Sequence, residues 1–299
     1  MSVGAQPGLG VRGPTAARRR RWLRTARVGE RPNIVAGVFG VVWLIIVVAP
    51  IWYLILSSFR SQATYEVANP WLPEGPFTLG NFMAVMQQGF TTYLRNSILV
   101  TVSAVVLTTG LALLAGYAIV RGQTAFTRVV FRLFLLGLAV PGTAVLIPLF
   151  FLVTTVHLFD TFWAIVLPSA AFGLPVSVLV MTNFLRDVPT ELFEAMAIDG
   201  AGERDLLLHL VLPIARPALV AVAVFNTLGA WNGFVFPLIL TSSPAFRVLP
   251  LAIYNFEGEY TINVPAILAT VLISAVPVVL FYAVGRRYLV RGLVAGYSR

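Results

Sequence analysis

The chain has 299 residues, of which 58% are hydrophobic and 11% are charged, and its formal net charge is +9. A soluble globular domain is roughly 45–50% apolar and about 25% charged, so this composition excludes a cytosolic enzyme, a disordered protein and a secreted disulfide scaffold and predicts a polytopic membrane protein. The sequence contains neither Cys nor Lys, which excludes disulfides, Cys-ligated metals, a P-loop lysine and Schiff-base chemistry, so any ATP hydrolysis would need another chain.

A basic arm precedes the first apolar segment. Residues 1–33 are rich in Gly, Pro and Arg and are predicted to be disordered. We interpret the arm as a topology determinant near anionic lipid headgroups and not as a nucleic-acid-binding segment. The apolar run that follows is too long for the core of a secretion signal, and no small-x-small cleavage site follows it before Ser57. We therefore predict a retained first helix.

Six segments are long and apolar enough to cross a membrane. A bilayer core about 30 Å thick needs roughly 20 helical residues, and the segments that reach this length are 34–59, 96–120, 129–153, 161–185, 217–240 and 266–285. Six spans place both termini on the same side. Prolines inside spans bend helices and free backbone carbonyls. We predict that Pro141-Gly142 and Gly173-x-Pro175 are either flexible points or fixed kinks.

Arginine placement indicates which side the termini occupy. Eighteen of the 21 basic residues lie in the N-terminal arm, in or next to the second connection, in the fourth connection, or after the sixth segment. The other three, Arg60, Arg95 and Arg247, lie in connections that would face the opposite side. Because cytoplasmic loops carry an excess of Lys and Arg, the sequence predicts that both termini are cytoplasmic.

The longest predicted exterior connection runs from Ser57 to Arg95. Within residues 79–90, helical spacing places five apolar side chains on one face: Leu79, Phe82, Met83, Met86 and Phe90. We predict a helix that lies at the membrane interface. Whether this helix touches an external partner stays open.

The fourth connection carries the only acidic cluster in the sequence. Its six acids are Asp187, Glu191, Glu194, Asp199, Glu203 and Asp205. Pro189-Thr190 followed by Glu191 is typical of a helix start, because an acid in the first turn complements the helix dipole. Helical spacing places Glu191, Glu194 and Ile198 on one side. Gly200 can adopt the left-handed conformation that ends many helices.

A second helix is predicted from Glu203 toward Pro213 and Pro217, and its apolar residues are Leu206, Leu207, Leu208, Leu210 and Val211. The product would be a short helix, a glycine elbow and a second helix on the cytoplasmic surface. Such a helix–elbow–helix suits binding in a groove of another protein. Its acidic residues could pair with arginines at the edge of that groove, and its small residues would allow close contact. From the residues alone, the alternative of an interfacial linker with merely solvated acids stays open.

At this loop the sequence resembles a known family. The loop resembles the EAA loop of binding-protein-dependent ABC importer permeases through Glu194-Ala195-Met196-Ala197-Ile198-Asp199-Gly200-Ala201, followed by Leu212-Pro213 and Pro217. The Asp-Gly-Ala form is similar to the carbohydrate-uptake branch. One departure is Met196, which stands where the family usually has a second Ala, so the packing at that point is expected to differ.

The resemblance covers roughly residue 34 to the C-terminus. Similar residues occur at Asn81-Phe82, Asn96-Ser97, Gly116-Tyr117-Ala118, Ile147-Pro148-Leu149, Asp160-Thr161-Phe162-Trp163, Phe172-Gly173-Leu174-Pro175 and Trp231-Asn232. The resemblance implies an all-α integral membrane protein with six transmembrane helices and a cytoplasmic EAA coupling-helix loop between the fourth and fifth spans. In this arrangement 1–33 is the basic arm, 34–95 the first helix and exterior loop, 96–286 the permease core and 287–299 the cytoplasmic tail.

The resemblance also implies a function and partners. The chain would be the second, maltose-type permease, forming a heterodimer with a second permease subunit around a pathway for a sugar or oligosaccharide in the bacterial inner membrane. Two cytoplasmic ATPase subunits would use the ATP, and an extracytoplasmic solute-binding protein would deliver the sugar. The coupling residues that would dock in the ATPase are Glu191, Glu194, Ala195, Met196, Asp199, Gly200 and Ala201. The chain itself would hold no cofactor, metal or catalytic residue.

Polar residues in the fifth predicted span are candidates for the pathway, because such residues are costly in lipid and usually face a cavity or a neighbour. The candidates, which include two aromatic side chains able to stack on a sugar ring, are Asn226, Thr227, Trp231, Asn232 and Phe234. The alternative is interhelical packing, which the motif Gly229-x-x-x-Gly233 favours. Both interpretations stay open, and the sequence does not name the sugar.

Two other functions have weaker support. A proton- or ion-coupled secondary transporter of small polar solutes usually needs an intramembrane Asp, Glu or His, whereas the acids here lie in loops or at span edges, as Asp160 and Asp187 do. A membrane hydrolase would need a nucleophile–base pair among the spans. His157 and His209 are predicted to be loop residues without carboxylate or His neighbours at ligand spacing.

Overall fold

The computed structural model describes residues 34–258 and 261–295, with the backbone alone for residues 284–295. The predicted arm at 1–33 lies outside these residues, and α12 continues into the predicted tail as far as Ala295. The helices are α1 (Ile34–Ser58), α2 (Gln62–Val67), α3 (Gly80–Gln87), α4 (Phe90–Gly122), α5 (Ala125–Gly137), α6 (Leu146–Thr155), α7 (Phe162–Arg186), α8 (Thr190–Ile198), α9 (Glu203–Ile214), α10 (Arg216–Trp231), α11 (Val235–Leu240) and α12 (Val264–Ala295).

In this part of the chain, four helices are long and apolar enough to cross a membrane: α1, α4, α7 and α12. Two bent pairs bring the number to six, namely α5 with Gly142–Thr155 at 96° and α9 with α10 at 72°. The third predicted span, 129–153, is therefore not a straight helix. It breaks before Pro141, which has no N–H group to donate within a helix. The fifth, 217–240, is also divided, because α10 and α11 are separate helices.

The chain divides into two units, Met1–Trp52 and Tyr53–Arg299. The described part of the first unit is residues 34–52 of α1, which contain no charged side chain and are therefore suited to a lipid environment. The second unit contains the end of α1, the other helices and the buried core.

The core of the second unit forms where α4 crosses α7. Gly116 lies at this crossing, and a Cβ atom added there would come within 3.0 Å of the Met181 Cγ atom. The missing side chain thus permits a close approach of the two helices. α10 packs on both α4 and α7, and α12 packs on α10. These four helices position the polar residues of the predicted pathway.

A buried arginine organises the connection after α1. Arg60 is fully buried, and its guanidinium group donates hydrogen bonds to the carbonyl oxygens of Asn69, at 2.9 Å, and Leu72. The Asn81 amide donates to the carbonyl oxygens of Ser58 and Arg60 at 2.8 and 2.7 Å. Because buried backbone carbonyls need donors, Arg60 has a structural role as well as being a charge in the predicted topology.

α3 is shorter than the helix predicted at 79–90, because a left-handed residue, Gly89 (φ 86°), separates it from α4. Met83 and Met86 are exposed, as an interfacial helix requires, whereas Phe90 is buried in the core. The prediction of a single apolar face is therefore wrong, since its members divide between the surface and the interior.

The segment after α11 is attached to the start of α4. The Asn96 amide donates hydrogen bonds to the carbonyl oxygens of Ala245 and Arg247 at 2.7 and 2.9 Å. The Ser97 hydroxyl accepts a hydrogen bond from the backbone N–H of Leu249 at 2.8 Å. The adjacent pair Asn96-Ser97 thus satisfies backbone groups that lie about 150 residues away along the chain.

Asp160 holds the beginning of the same segment from the side of α7. Its Oδ1 atom accepts hydrogen bonds from the backbone N–H groups of Ser242 and Ser243 at 2.9 and 3.0 Å. These bonds keep the pKa of the Asp160 carboxyl below its usual value, because they stabilise the charged form, and the bond from Ser243 has the largest effect. The carboxylate is therefore ionised at neutral pH and anchors this loop.

Candidate functional site

The acidic loop folds as a helix, an elbow and a second helix. α8 begins at Thr190, directly after Pro189, with Glu191 in its first turn, as predicted. Phe193 is only 4% exposed and packs in a cluster with Met181 and Leu206, and Met196 is half-buried against the same cluster. α8 is therefore fixed to α7 and α9 by one aromatic side chain and one methionine.

The elbow after α8 has the geometry of a Schellman cap. Gly200 is left-handed (φ 83°), its N–H donates to the Ala197 carbonyl at 3.1 Å, and the N–H of Ala201 donates to the Met196 carbonyl at 3.0 Å. The predicted role of Gly200 as a helix terminator is confirmed. The next helix starts immediately, since the Asp205 carboxylate accepts a hydrogen bond from the N–H of Gly202 at 3.3 Å.

The outer side of α8 presents acidic and apolar groups together. Glu191, Glu194 and Ile198, which are predicted to share one side, are all exposed, as are Ala195 and Asp199. Ile198 is 86% exposed, although it is a large apolar residue. The outer side of α8 thus offers a large apolar group and carboxylates together, on a helix whose opposite side is fixed to the core by Phe193.

Four side chains join the acidic loop to the end of α4. Glu203 accepts a hydrogen bond from the Tyr117 hydroxyl, and its other carboxylate oxygen lies 3.9 Å from an Arg121 nitrogen. The Arg121 guanidinium lies 5.1 Å from the centre of the Phe193 ring, within range of a cation–π contact. Sequence reasoning did not identify Phe193 or Arg121, although the spacing of Phe193 and Met196 is a signal of a buried face.

His209 has a carboxylate neighbour that the sequence analysis missed. Its Nδ1 atom lies 3.8 Å from the Asp205 Oδ1 atom, one helical turn away, and both side chains are exposed. The prediction that His209 lacks such a neighbour is therefore wrong, because Asp205 and His209 are four residues apart and α9 is helical there.

The five predicted pathway residues do not share one cavity. Asn226 and Phe234 line a cavity of about 320 Å³ between α7, α10 and α11. Trp231 and Asn232 line a second of about 330 Å³ beside α12, and Thr227 lines a third, apolar one of about 420 Å³ together with Trp231. The structure thus separates residues that are neighbours in the sequence.

Trp231 is buried, and its indole N–H donates a hydrogen bond to the Ser274 carbonyl of α12 at 3.3 Å. Asn232 is exposed and donates to the Leu228 carbonyl of its own helix at 2.8 Å. The motif Gly229-x-x-x-Gly233 does not make a close helix–helix contact at Gly229, because a Cβ atom added there would meet no atom within 4 Å. Trp231 therefore contributes to packing between α10 and α12. Gly229 lines the cavity that Asn226 and Phe234 also line, and its missing side chain leaves that cavity open.

A polar cluster links α7 to α10 inside the helical core. The Asn226 amide donates hydrogen bonds to the Ser177 hydroxyl and the Val222 carbonyl, both at 2.8 Å, and Ser177 donates to the Gly173 carbonyl at 2.7 Å. A Cβ atom at Gly173 would lie 2.1 Å from the Asn226 Oδ1 atom. Gly173 is therefore necessary for Asn226 to occupy this position.

We expect Gly173→Ala to lower the thermal unfolding midpoint of the detergent-purified protein, because overpacking of this kind costs about 1–3 kcal/mol. Gly229→Ala is the matched control, since a methyl group there meets open space, and it should not lower the midpoint. Adding Asn226→Ala to the first variant should recover part of the loss. An unchanged midpoint in Gly173→Ala would contradict the proposed contact.

The fold and the loop together define a class: a polytopic helical membrane protein with an exposed acidic helix–elbow–helix. Residues 108–293 match the model of the family described as "Binding-protein-dependent transport system inner membrane component". The chain belongs to this family. It is therefore an inner-membrane permease subunit of an ABC importer and not an enzyme, since ATP hydrolysis is carried by a separate subunit.

The chain is similar to several permease proteins of other organisms. It is 31% identical over 262 residues to the diacetylchitobiose uptake system permease protein NgcG of Streptomyces coelicolor, covering 87% of this chain and 86% of that protein. It is 30% identical to the arabinooligosaccharides transport system permease protein AraQ of Halalkalibacterium halodurans, covering 84% of this chain and 91% of that protein.

One solved structure has the same fold. It is a chain of a bacterial ABC transporter involved in the import of the acidic polysaccharide alginate, with a TM-score of 0.76 and 20% sequence identity. The likeness covers 92% of this chain and 99% of the other. At this identity the likeness supports the fold alone.

Proposed function

We propose that this chain imports a sugar or oligosaccharide as one of two different permease subunits that enclose a common pathway. The relatives named for uptake of diacetylchitobiose and arabinooligosaccharides support a carbohydrate cargo. Two ATPase subunits and an external solute-binding protein complete the proposed importer. The arginine distribution supports a topology with both termini and the acidic loop in the cytoplasm.

The observation that carries the proposal is the exposed acidic and apolar side of α8, which is anchored from behind by Phe193 and ended by Gly200. We propose that α8 docks in a groove of an ATPase subunit, with Glu194 facing a basic residue and Ala195 and Ala201 allowing close approach. A short helix fixed to the ends of α4 and α7 would act as a lever, because it transmits displacement without bending.

We further propose that the cavity lined by Asn226 and Phe234 faces the translocation pathway. Phe172 and Phe236 lie beside it with ring centres 5.2 Å apart, so the cavity offers aromatic faces as well as an amide, both of which suit a sugar. Of the other three pathway candidates, Thr227 and Asn232 line two other cavities, and Trp231 is proposed to hold α10 against α12.

Reversal of charge at Glu194 tests the coupling assignment. In proteoliposomes that contain both permeases, the ATPase and the binding protein, Glu194→Arg should reduce sugar uptake at least about tenfold, since a like charge would face the ATPase rim. Co-purification of the ATPase should fall as well. Glu257→Arg, at an exposed position on the predicted exterior side, should leave both measurements unchanged.

Two results would contradict the proposed function. One is normal ATPase association and uptake in Glu194→Arg. The other is movement of solute by the purified chain in vesicles without any ATPase, which would favour a secondary transporter.

A further inference from the structure

A cavity lies at the base of the acidic loop, and the proposed coupling makes no use of the positive charge that lines it. It has a volume of about 490 Å³ and lies between the end of α4, the first half of α5, the end of α7 and the start of α8. Four arginines line it: Arg121, Arg128, Arg132 and Arg186. The described residues that line it include no acidic side chain. This volume is in the range of about 300–1,000 Å³ that is usual for ligand sites.

Most of this positive charge is uncompensated. Arg121 lies 3.9 Å from Glu203, whereas Arg128, Arg132 and Arg186 form no salt bridge with any carboxylate in the described residues. Four guanidinium groups around one cavity, only one of them beside a carboxylate, repel one another, and an anion bound among them would relieve this repulsion. The cavity therefore has the charge of a site for an oxyanion, and the planar guanidinium fork suits phosphate.

Two of the guanidinium groups are held in place by aromatic rings. Arg121 lies 5.1 Å from the centre of the Phe193 ring, and Arg186 lies 5.0 Å from the centre of the Phe131 ring. Stacking occupies the face of a guanidinium group and leaves the N–H groups on its edge free to donate. Part of the site is thus organised before any anion binds, which lowers the entropy cost of binding.

The surroundings of the cavity indicate where the anion comes from. α5 carries Arg128 and Arg132 on the cavity side, and a neighbouring stripe of the same helix is apolar and 51–75% exposed. The stripe consists of Phe126, Val129, Leu133 and Leu136. An amphipathic helix of this kind lies at the boundary between headgroups and acyl chains. A ligand with both a phosphate group and acyl chains would satisfy the cavity and the stripe together.

We propose that this cavity binds the phosphate headgroup of an anionic phospholipid, with the acyl chains along the apolar stripe of α5. The floor of the cavity agrees with an amphipathic ligand, because Ile119, Leu185 and Val188 lie among the arginines. The proposed topology decides only which leaflet supplies the lipid, and this would be the cytoplasmic leaflet. Free phosphate shares the headgroup chemistry but leaves the stripe uncovered.

The test uses native mass spectrometry to measure which lipid stays bound to the full chain. The chain is purified in detergent, together with any subunits that remain attached to it. The probes are phosphatidylglycerol and phosphatidylcholine with the same acyl chains. The wild-type protein should retain phosphatidylglycerol in preference. The double variant Arg128→Gln/Arg132→Gln should bind phosphatidylglycerol at least about tenfold more weakly, since each basic group near an anionic headgroup contributes to binding. Arg186→Gln, a second variant, should weaken binding in the same direction.

The matched control is Arg204→Gln/Arg216→Gln, which removes the same charge from exposed positions outside the cavity and should retain the lipid. Equal losses in the two double variants, or equal retention of both lipids by the wild type, would overturn the proposal. Displacement of phosphatidylglycerol by millimolar inorganic phosphate would assign the cavity to free phosphate, and displacement by added ATPase subunits would assign it to the subunit interface. Both results would also overturn it. The lipid measurement uses no nucleotide and does not depend on ATP hydrolysis or sugar uptake. A negative result would therefore overturn the lipid site without contradicting the coupling role proposed for Glu194.

Discussion

Gly200→Val is expected to reduce sugar uptake by the reconstituted importer about tenfold while leaving the membrane-spanning core folded. Gly200 has a φ of 83°, a conformation that a β-branched residue rarely adopts and that costs about 1–2 kcal/mol for an L-residue. No atom lies within 4 Å of the Cβ that the substitution would add, so a clash would not be the cause. The elbow would change its direction, and α8 would meet the ATPase at a different angle.

Gly200→Asn separates the backbone effect from the effect of adding a side chain. Asn tolerates the left-handed conformation better than other residues do, so this variant should keep most of the uptake. Gly202→Ala, two residues away at a φ of −80°, should also retain it. The measurements are uptake and ATP hydrolysis stimulated by the binding protein. Equal activity of the Val and Asn variants would show that the left-handed elbow is unimportant for coupling.

Phe193→Ala is expected to release α8 from the rest of the protein. Removal of a buried Phe side chain costs about 3–5 kcal/mol, and Phe193 is the buried anchor of this helix as well as the ring beneath Arg121. Amide hydrogen exchange in α8 should accelerate at least about a hundredfold, because the helix would open locally. ATP hydrolysis should then no longer respond to the binding protein.

Leu192→Ala provides the control on the same helix. Leu192 is 42% exposed, so its loss should leave exchange in α8 nearly unchanged. Phe193→Leu keeps an apolar side chain in the cluster and should be intermediate. If Phe193→Ala exchanged like the wild type, or if exchange rose equally throughout the protein, Phe193 would not be a specific anchor of the loop.

Several features could be predicted from residues that are close together in the sequence. The start of α8 after Pro189 and its end at Gly200 follow from local capping rules, since the groups involved lie within one turn of each other. The elbow at Gly200 follows from the same rules, whereas the EAA segment is identified by its resemblance to a known family. The His209 contact also lies within one turn and could have been found by counting four residues from Asp205.

Other features depend on residues that are distant in the sequence. Phe193 is buried because Leu206 and Met181 meet around it, and the arginine cavity exists because four helices, α4, α5, α7 and α8, converge. The predicted pathway set divides among three cavities because neighbours on one helix point in different directions. No local pattern in these segments specifies which helices become neighbours.

The sequence by itself determined that the protein is a helical membrane protein with an acidic helix–elbow–helix, because hydropathy, arginine distribution and capping are properties of short segments. Only the tertiary structure decided which apolar side chains face the core, where the third and fifth spans break, and that Arg60 is buried. The physical reason is that lipid is as apolar as a protein interior, so a membrane helix has no strong polar–apolar periodicity that would separate buried residues from lipid-facing ones.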